Sequence, residues 1–78
     1  MSFVIVKINK NKKLGYVNKN YYGGYMLDTF TPNMMFNTEE AATNFIFHNY
    51  NFMKNILENE NESFYVLQYN KSIQKNAV

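Results

Sequence analysis

Only one stretch of this chain repeats its apolar residues at helical spacing, and that restricts the fold more than any other feature of the sequence. Ala42, Phe45, Ile46, Asn49, Met53, Ile56 and Leu57 recur three or four positions apart, the period of an amphipathic helix. Thr38 stands where an N-cap is needed, and Glu39 and Glu40 put negative charge in the first turn, where the helix dipole favours it. The spacing predicts one helix running to about Leu57, with an alternative break near Asn49-Tyr50-Asn51. The other apolar segments follow strand chemistry. Phe3 to Ile8 is β-branched and mostly apolar on both faces, as expected of an inner strand. Asn9 to Lys13 reads as a polar turn, Leu14 to Val17 as a short second strand, and Asn18 to Gly23 as a second turn in which Gly23-Gly24 supplies backbone freedom. Tyr25 to Phe30 is a third strand, stopped by Thr31-Pro32-Asn33 because proline has no N–H to give a ladder. Glu58 to Glu62 is an acidic loop, and Ser63 to Tyr69 alternates as a last strand.

The predicted order is β-β-β-α-β, an α+β domain in which an antiparallel four-stranded sheet carries one helix on one face. At 78 residues the chain makes one domain, expected over 1–70, with a frayed polar tail over 71–78. One helix covers one face, yet both faces of the sheet are apolar. Phe3 and Ile5 point opposite to Val4, Val6 and Ile8, and Phe64 and Val66 opposite to Tyr65 and Leu67. The second face is therefore expected to be an exposed aromatic patch, the mark of a homodimer or of a docked partner. The alternative is that the second half of the helix and the loop Thr31–Phe36 fold over it.

Composition excludes much chemistry. Cysteine is absent, which removes disulfides and thiolate metal sites. His48 is the only histidine and Asp28 the only aspartate, and nothing ties them into a catalytic constellation. Adjacent Glu39 and Glu40 do not face each other on a helix, so they read as capping charge and not as an acid–base pair. Glu58, Glu60 and Glu62 lack the glycine and the spacing of a calcium loop. Gly15, Gly23 and Gly24 do not lead from a strand into a helix, so no phosphate loop and no cofactor are expected. The run Ser2 to Val6 lacks a signal peptide's basic start, and nothing approaches the roughly 20 apolar residues of a membrane span. Accordingly, a cytoplasmic protein is expected, in which the sequons at Asn61 and Asn70 carry no glycosylation meaning. Eight lysines without arginine, together with abundant Asn, Tyr, Ile and Phe, reflect AT-rich codons and point to a low-GC genome such as that of a Firmicute, its phages or its plasmids.

Charge is distributed unevenly. Lys7, Lys10, Lys12, Lys13 and Lys19 precede Asp28 with no acidic residue among them, whereas all six acids lie between Asp28 and Glu62. The basic meander is interleaved with Tyr16, Tyr21, Tyr22 and Tyr25. Lys10, Lys12, Lys13, Tyr16, Lys19, Tyr21, Tyr22 and Tyr25 are thus the candidate partner-binding residues. Such a mixture can bind single-stranded nucleic acid through phosphate attraction and base stacking. The absence of arginine and a pI near 8.9 make that footprint modest. A solvated hairpin rim, with lysines that keep an edge from pairing, is the plain structural alternative.

The run Met34-Met35-Phe36-Asn37-Thr38-Glu39-Glu40-Ala41, entered from a meander and left through Phe45-Ile46, resembles a pattern in small proteins of phages and mobile elements of low-GC bacteria. These place a strand, a hairpin and a phenylalanine–Ser/Thr–Glu-Glu-Ala helix start before a final strand. The likeness spans roughly Phe3 to Tyr69. It implies a host-takeover or anti-defence factor of the anti-CRISPR type, which inhibits a host protein such as a defence nuclease by binding it. One departure matters. Anti-defence proteins that mimic DNA are strongly acidic, whereas this chain carries a net charge of +2, so DNA mimicry is not implied.

Overall fold

A computed structural model describes residues 1–70, so the expectation of a frayed tail lies outside the described residues. Strand β1 spans Ser2–Asn9, β2 Lys12–Lys19, β3 Tyr25–Asp28 and β4 Glu62–Tyr69, with helix α1 over Glu39–Met53 and a 3₁₀ turn over Lys54–Ile56. The four strands form one antiparallel sheet in the order β3-β2-β1-β4. The predicted α+β class, the β-β-β-α-β order of elements along the chain and the inner position of β1 are those observed.

Boundaries shift where backbone pairing outweighs side-chain character. β2 is longer than its apolar centre because Lys12 and Lys13 pair with Asn9 and Ile8, and Lys19 pairs with Tyr25. Lysine stems are compatible with a ladder when their heads reach water. The β1–β2 connection closes through Lys10-Asn11, with Lys10 in the left-handed region at φ 59°. Leu14 is the extra residue of a bulge between Lys7↔Gly15 and Ile8↔Lys13. Gly15 is required by packing, since a Cβ there would lie 2.9 Å from Leu27 Cγ and 3.0 Å from the Asp28 carbonyl oxygen. In the second hairpin Gly23 takes φ 88°, which favours glycine. β3 ends two residues before the predicted Phe30, because the Asp28 carboxylate accepts from the Phe30 and Thr31 amides at 2.7 and 3.0 Å and turns the chain.

α1 begins as predicted, with Thr38 Oγ1 accepting from the Ala41 amide at 3.0 Å. It continues past Asn49 without a break, and Asn49 Nδ2 bonds back to the Phe45 carbonyl at 2.9 Å. The helix face of the sheet holds the larger core. Ile5, Val17, Met34, Ala42 and Met53 are buried there, with Phe3, Leu27, Phe36, Phe45 and Ile46 packed against them. Beyond Val6↔Tyr16 the β1–β2 ladder stops. Phe36 takes the place of β2 beside Phe3 through reciprocal N–H···O bonds of 2.8 and 2.9 Å.

The second face is not the open patch expected from the sequence. Val4, Val6 and Tyr16 are 1%, 0% and 5% exposed. Tyr16 on β2 and Tyr69 on β4 meet edge to face at 6.0 Å across β1, and with Leu67 and Ile8 they cover the valines. The loop closes one corner only: Asn18 donates to the Thr31 carbonyl at 2.8 Å and accepts from the Asn33 amide at 2.9 Å. The end of the helix takes no part, since Met53 and Ile56 belong to the other core.

Candidate interaction surfaces

Strand alternation aims Lys7 at the helix face, where the residue is only 2% exposed. Its Nζ donates to the Ile56 carbonyl at 3.1 Å and lies 3.0 Å from Glu62 Oε1 and 3.3 Å from Glu58 Oε1. Burial opposes the charge, but the bonds to Glu62 and Glu58 outweigh it and hold the ammonium pKa above its ordinary value. The Glu62 carboxyl is held below the usual carboxylate range, chiefly by the Glu58 amide that donates to it at 2.8 Å and then by Lys7. With its pKa held above the ordinary value, the Lys7 ammonium stays charged near neutral pH. The cluster pins the exit of the 3₁₀ turn to the sheet, and Lys7 is not one of the free cations of a basic meander end. The Glu58–Glu62 segment is likewise more than a solvated loop, since Glu62 opens β4 and its side chain is 5% exposed.

The eight candidate residues fall into two groups at opposite ends of the sheet. Lys12 and Lys19 are the two ends of β2, roughly 23 Å apart at about 3.3 Å per residue. At one end are Lys10, Lys12, Lys13 and Tyr16. Lys13 Nζ donates to Tyr16 Oη at 3.1 Å and stands 4.4 Å from the ring centroid. Tyr16 itself is buried, so its ring face is not free to stack on a base. At the other end are Lys19, Tyr21, Tyr22 and Tyr25. Tyr25 packs edge-on to Phe45 at 5.9 Å in the helix-side core. Tyr21 and Tyr22 are 96% and 92% exposed and touch edge to face at 5.5 Å.

The tip that carries them is held by hydrogen bonds. Asn20 Oδ1 accepts from the Tyr22 and Gly24 amides at 2.9 Å each, and the Asn20 amide donates to the Gly24 carbonyl at 2.9 Å. Asn33 brackets the adjacent Lys19 backbone with bonds of 3.1 and 3.0 Å. Exposed Lys19 and two exposed rings therefore stand on a hydrogen-bonded frame.

Two further features were not foreseen from the sequence. A groove between α1 and β4 is lined by Glu39, Thr43, Ile46, Phe47, Phe64 and Tyr65, among others. Phe47 is 78% and Tyr65 52% exposed. Beside the groove, β4 (Glu62–Tyr69) is an outer strand of the sheet among the described residues. The clue in the sequence was a final strand without lysine or proline, but its edge position depends on the crossover.

Residues weighed for chemistry occupy ordinary positions. His48 is an exposed helix residue whose Nδ1 lies 2.8 Å from the Asn44 carbonyl. Glu39 and Glu40 are exposed in the first helical turn. Asp28 is held below its ordinary pKa by the Thr31 and Phe30 amides that it binds. Among the described residues no three His, Cys, Asp or Glu side chains group as metal ligands. No described helix is long and apolar enough to cross a membrane. No family model, curated protein or solved structure matches the chain.

Proposed function

We propose that this chain is a non-enzymatic binding protein, an accessory factor of a phage or mobile element that occludes a surface of a host protein in the host cytoplasm. A defence nuclease is the class of target implied by the resemblance of Phe36-Asn37-Thr38-Glu39-Glu40-Ala41 to anti-CRISPR-type proteins. The observation that carries the reading is the Tyr21–Tyr22 pair, almost fully exposed on a braced hairpin tip beside Lys19. Tyrosine supplies large amphipathic contact area with few rotatable bonds, and such rings are enriched where binding energy concentrates. Bracing by Asn20 and Asn33 limits the entropy lost when the tip docks.

The test places a photo-crosslinking residue at Tyr22 and exposes the full chain to host lysate, with a second probe at the remote Lys12. One specific adduct from Tyr22, lost when Tyr21→Ala and Lys19→Glu are added, supports the reading. Adducts from Lys12 alone would move the binding surface to the other hairpin. Oligonucleotide binding that weakens steeply with salt would replace the protein partner with nucleic acid.

A further inference from the structure

The geometry points to β4 as an edge that pairs antiparallel with β4 of a second copy of this chain, about a two-fold axis at Val66. The Lys10 amide donates to the Asn61 carbonyl. With the β1–β4 register, that parity directs the N–H and C=O groups of Ser63, Tyr65 and Leu67 toward β1 and those of Phe64, Val66 and Gln68 away from it. Phe3, the partner of Gln68, agrees, since it bonds Phe36 on its other side. The outward groups of Phe64, Val66 and Gln68 have no partner among the described residues.

A second copy fits this edge in particular because the edge is self-complementary. A two-fold axis at Val66 sets Val66 against its own mate and Phe64 against Gln68 of the second copy, so outward groups meet outward groups and each such pair exchanges both N–H···O bonds. Tyr65 falls opposite Leu67. Ser63 to Tyr69 holds no charged residue, so the pairing opposes no like charges. The strand also lacks the lysines, prolines and bulges by which exposed edges are kept from pairing. The axis stands perpendicular to the joint sheet, which places both helices on one side and brings the exposed Phe47 of each groove toward the other. Taking about 200 Å² per ring at exposures of 78% and 52%, Phe47 and Tyr65 of two copies contribute up to roughly 500 Å². With the strand joint this reaches the lower range of specific interfaces, about 1,200 Å², so a dimer in the micromolar range is expected.

Sedimentation equilibrium of the full chain from about 5 to 500 µM should show a monomer–dimer equilibrium in this range. Gln68→Pro removes an outward N–H without touching the β1 ladder, and Phe47→Glu sets two charges across the axis. Each should weaken the dimer about tenfold or more with the circular dichroism spectrum unchanged, whereas Tyr22→Ala should leave it intact. Register is read separately. Because the chain has no cysteine, a mixture of Tyr65→Cys and Leu67→Cys chains should oxidise to a mixed disulfide, the Cα atoms of such a pair lying about 4.5 Å apart. A monomer throughout the range would overturn the inference, and so would a dimer that both Gln68→Pro and Phe47→Glu leave unchanged. Homodisulfides in place of the mixed one would overturn the Val66 register.

Discussion

The two faces of the sheet bury comparable side chains by different means. On one, a helix capped at Thr38 lays Ala42, Phe45, Ile46 and Met53 over Ile5 and Val17, so a second layer excludes the water. On the other no helix lies among the described residues, and Tyr16 and Tyr69 reach across the central strand to cover Val4 and Val6. The helix face also accommodates a buried ammonium, since Lys7 finds three acceptors at the exit of that same layer. A face lacking a second layer can still form a small core when tall aromatic residues flank β-branched ones. Such a core should be thinner and easier to breach.

Adjacent Ile5 and Val6 are both fully buried and point to opposite faces, so they compare the two most directly. Ile5→Ala should lose about 4 kcal/mol, because the second layer cannot collapse into the cavity. Val6→Ala should lose about 2 kcal/mol, close to the transfer term alone, because its covering rings can settle. Urea denaturation measures both, and equal losses would make the faces equivalent. Gly15→Ala should cost about 1–3 kcal/mol, because its Cβ would press on Leu27 and on the Asp28 carbonyl. Thermal unfolding checks this, and a neutral result would mean that β3 shifts freely. Thr38→Ala should cost about 1 kcal/mol through the lost cap; since it touches only the helix layer, the near-ultraviolet tyrosine signal of the other face should persist.

The Lys7 cluster sets a pH signature on the helix face. The Glu62 pKa is held below its ordinary 4.5, so its contribution is present above that value and fades as pH falls through the folded pKa. The Lys7 pKa is held above 10.5, so its contribution is full below that value and is lost as pH rises through the folded pKa. Melting temperature should therefore be level between about pH 5 and 10 and should drop outside that range. In Glu62→Gln the acid limb should be shallower. An acid limb identical to that of the parent chain would place the sensitivity elsewhere, with Asp28 next in line.

Much of the fold was legible because its local signals agree with its global form. The Thr38 cap, the helical spacing after Ala42 and the alternation from Ser63 to Tyr69 each match the observed element. The candidate site was legible only as a set of residue types. Lysines and tyrosines close in sequence were grouped, yet an antiparallel strand carries its two ends apart, and alternation turns Tyr16 and Tyr25 into the two cores. Lys19, Tyr21 and Tyr22 remain together and exposed, whereas Lys10, Lys12 and Lys13 stay exposed at the other end with no exposed tyrosine of the set beside them.

By itself, then, the sequence determined what depends on neighbours along the chain: which segments extend, where the helix starts, and that one helix leaves a face without a second layer. Tertiary structure decided what depends on contacts between distant residues. Lys7 meets Glu58 and Glu62 some fifty positions away, Tyr16 finds Tyr69 across β1, and the crossover after β3 carries β4 to an edge. The physical reason is that periodicity specifies which way a side chain points, whereas its burial and partners depend on which strand lies alongside.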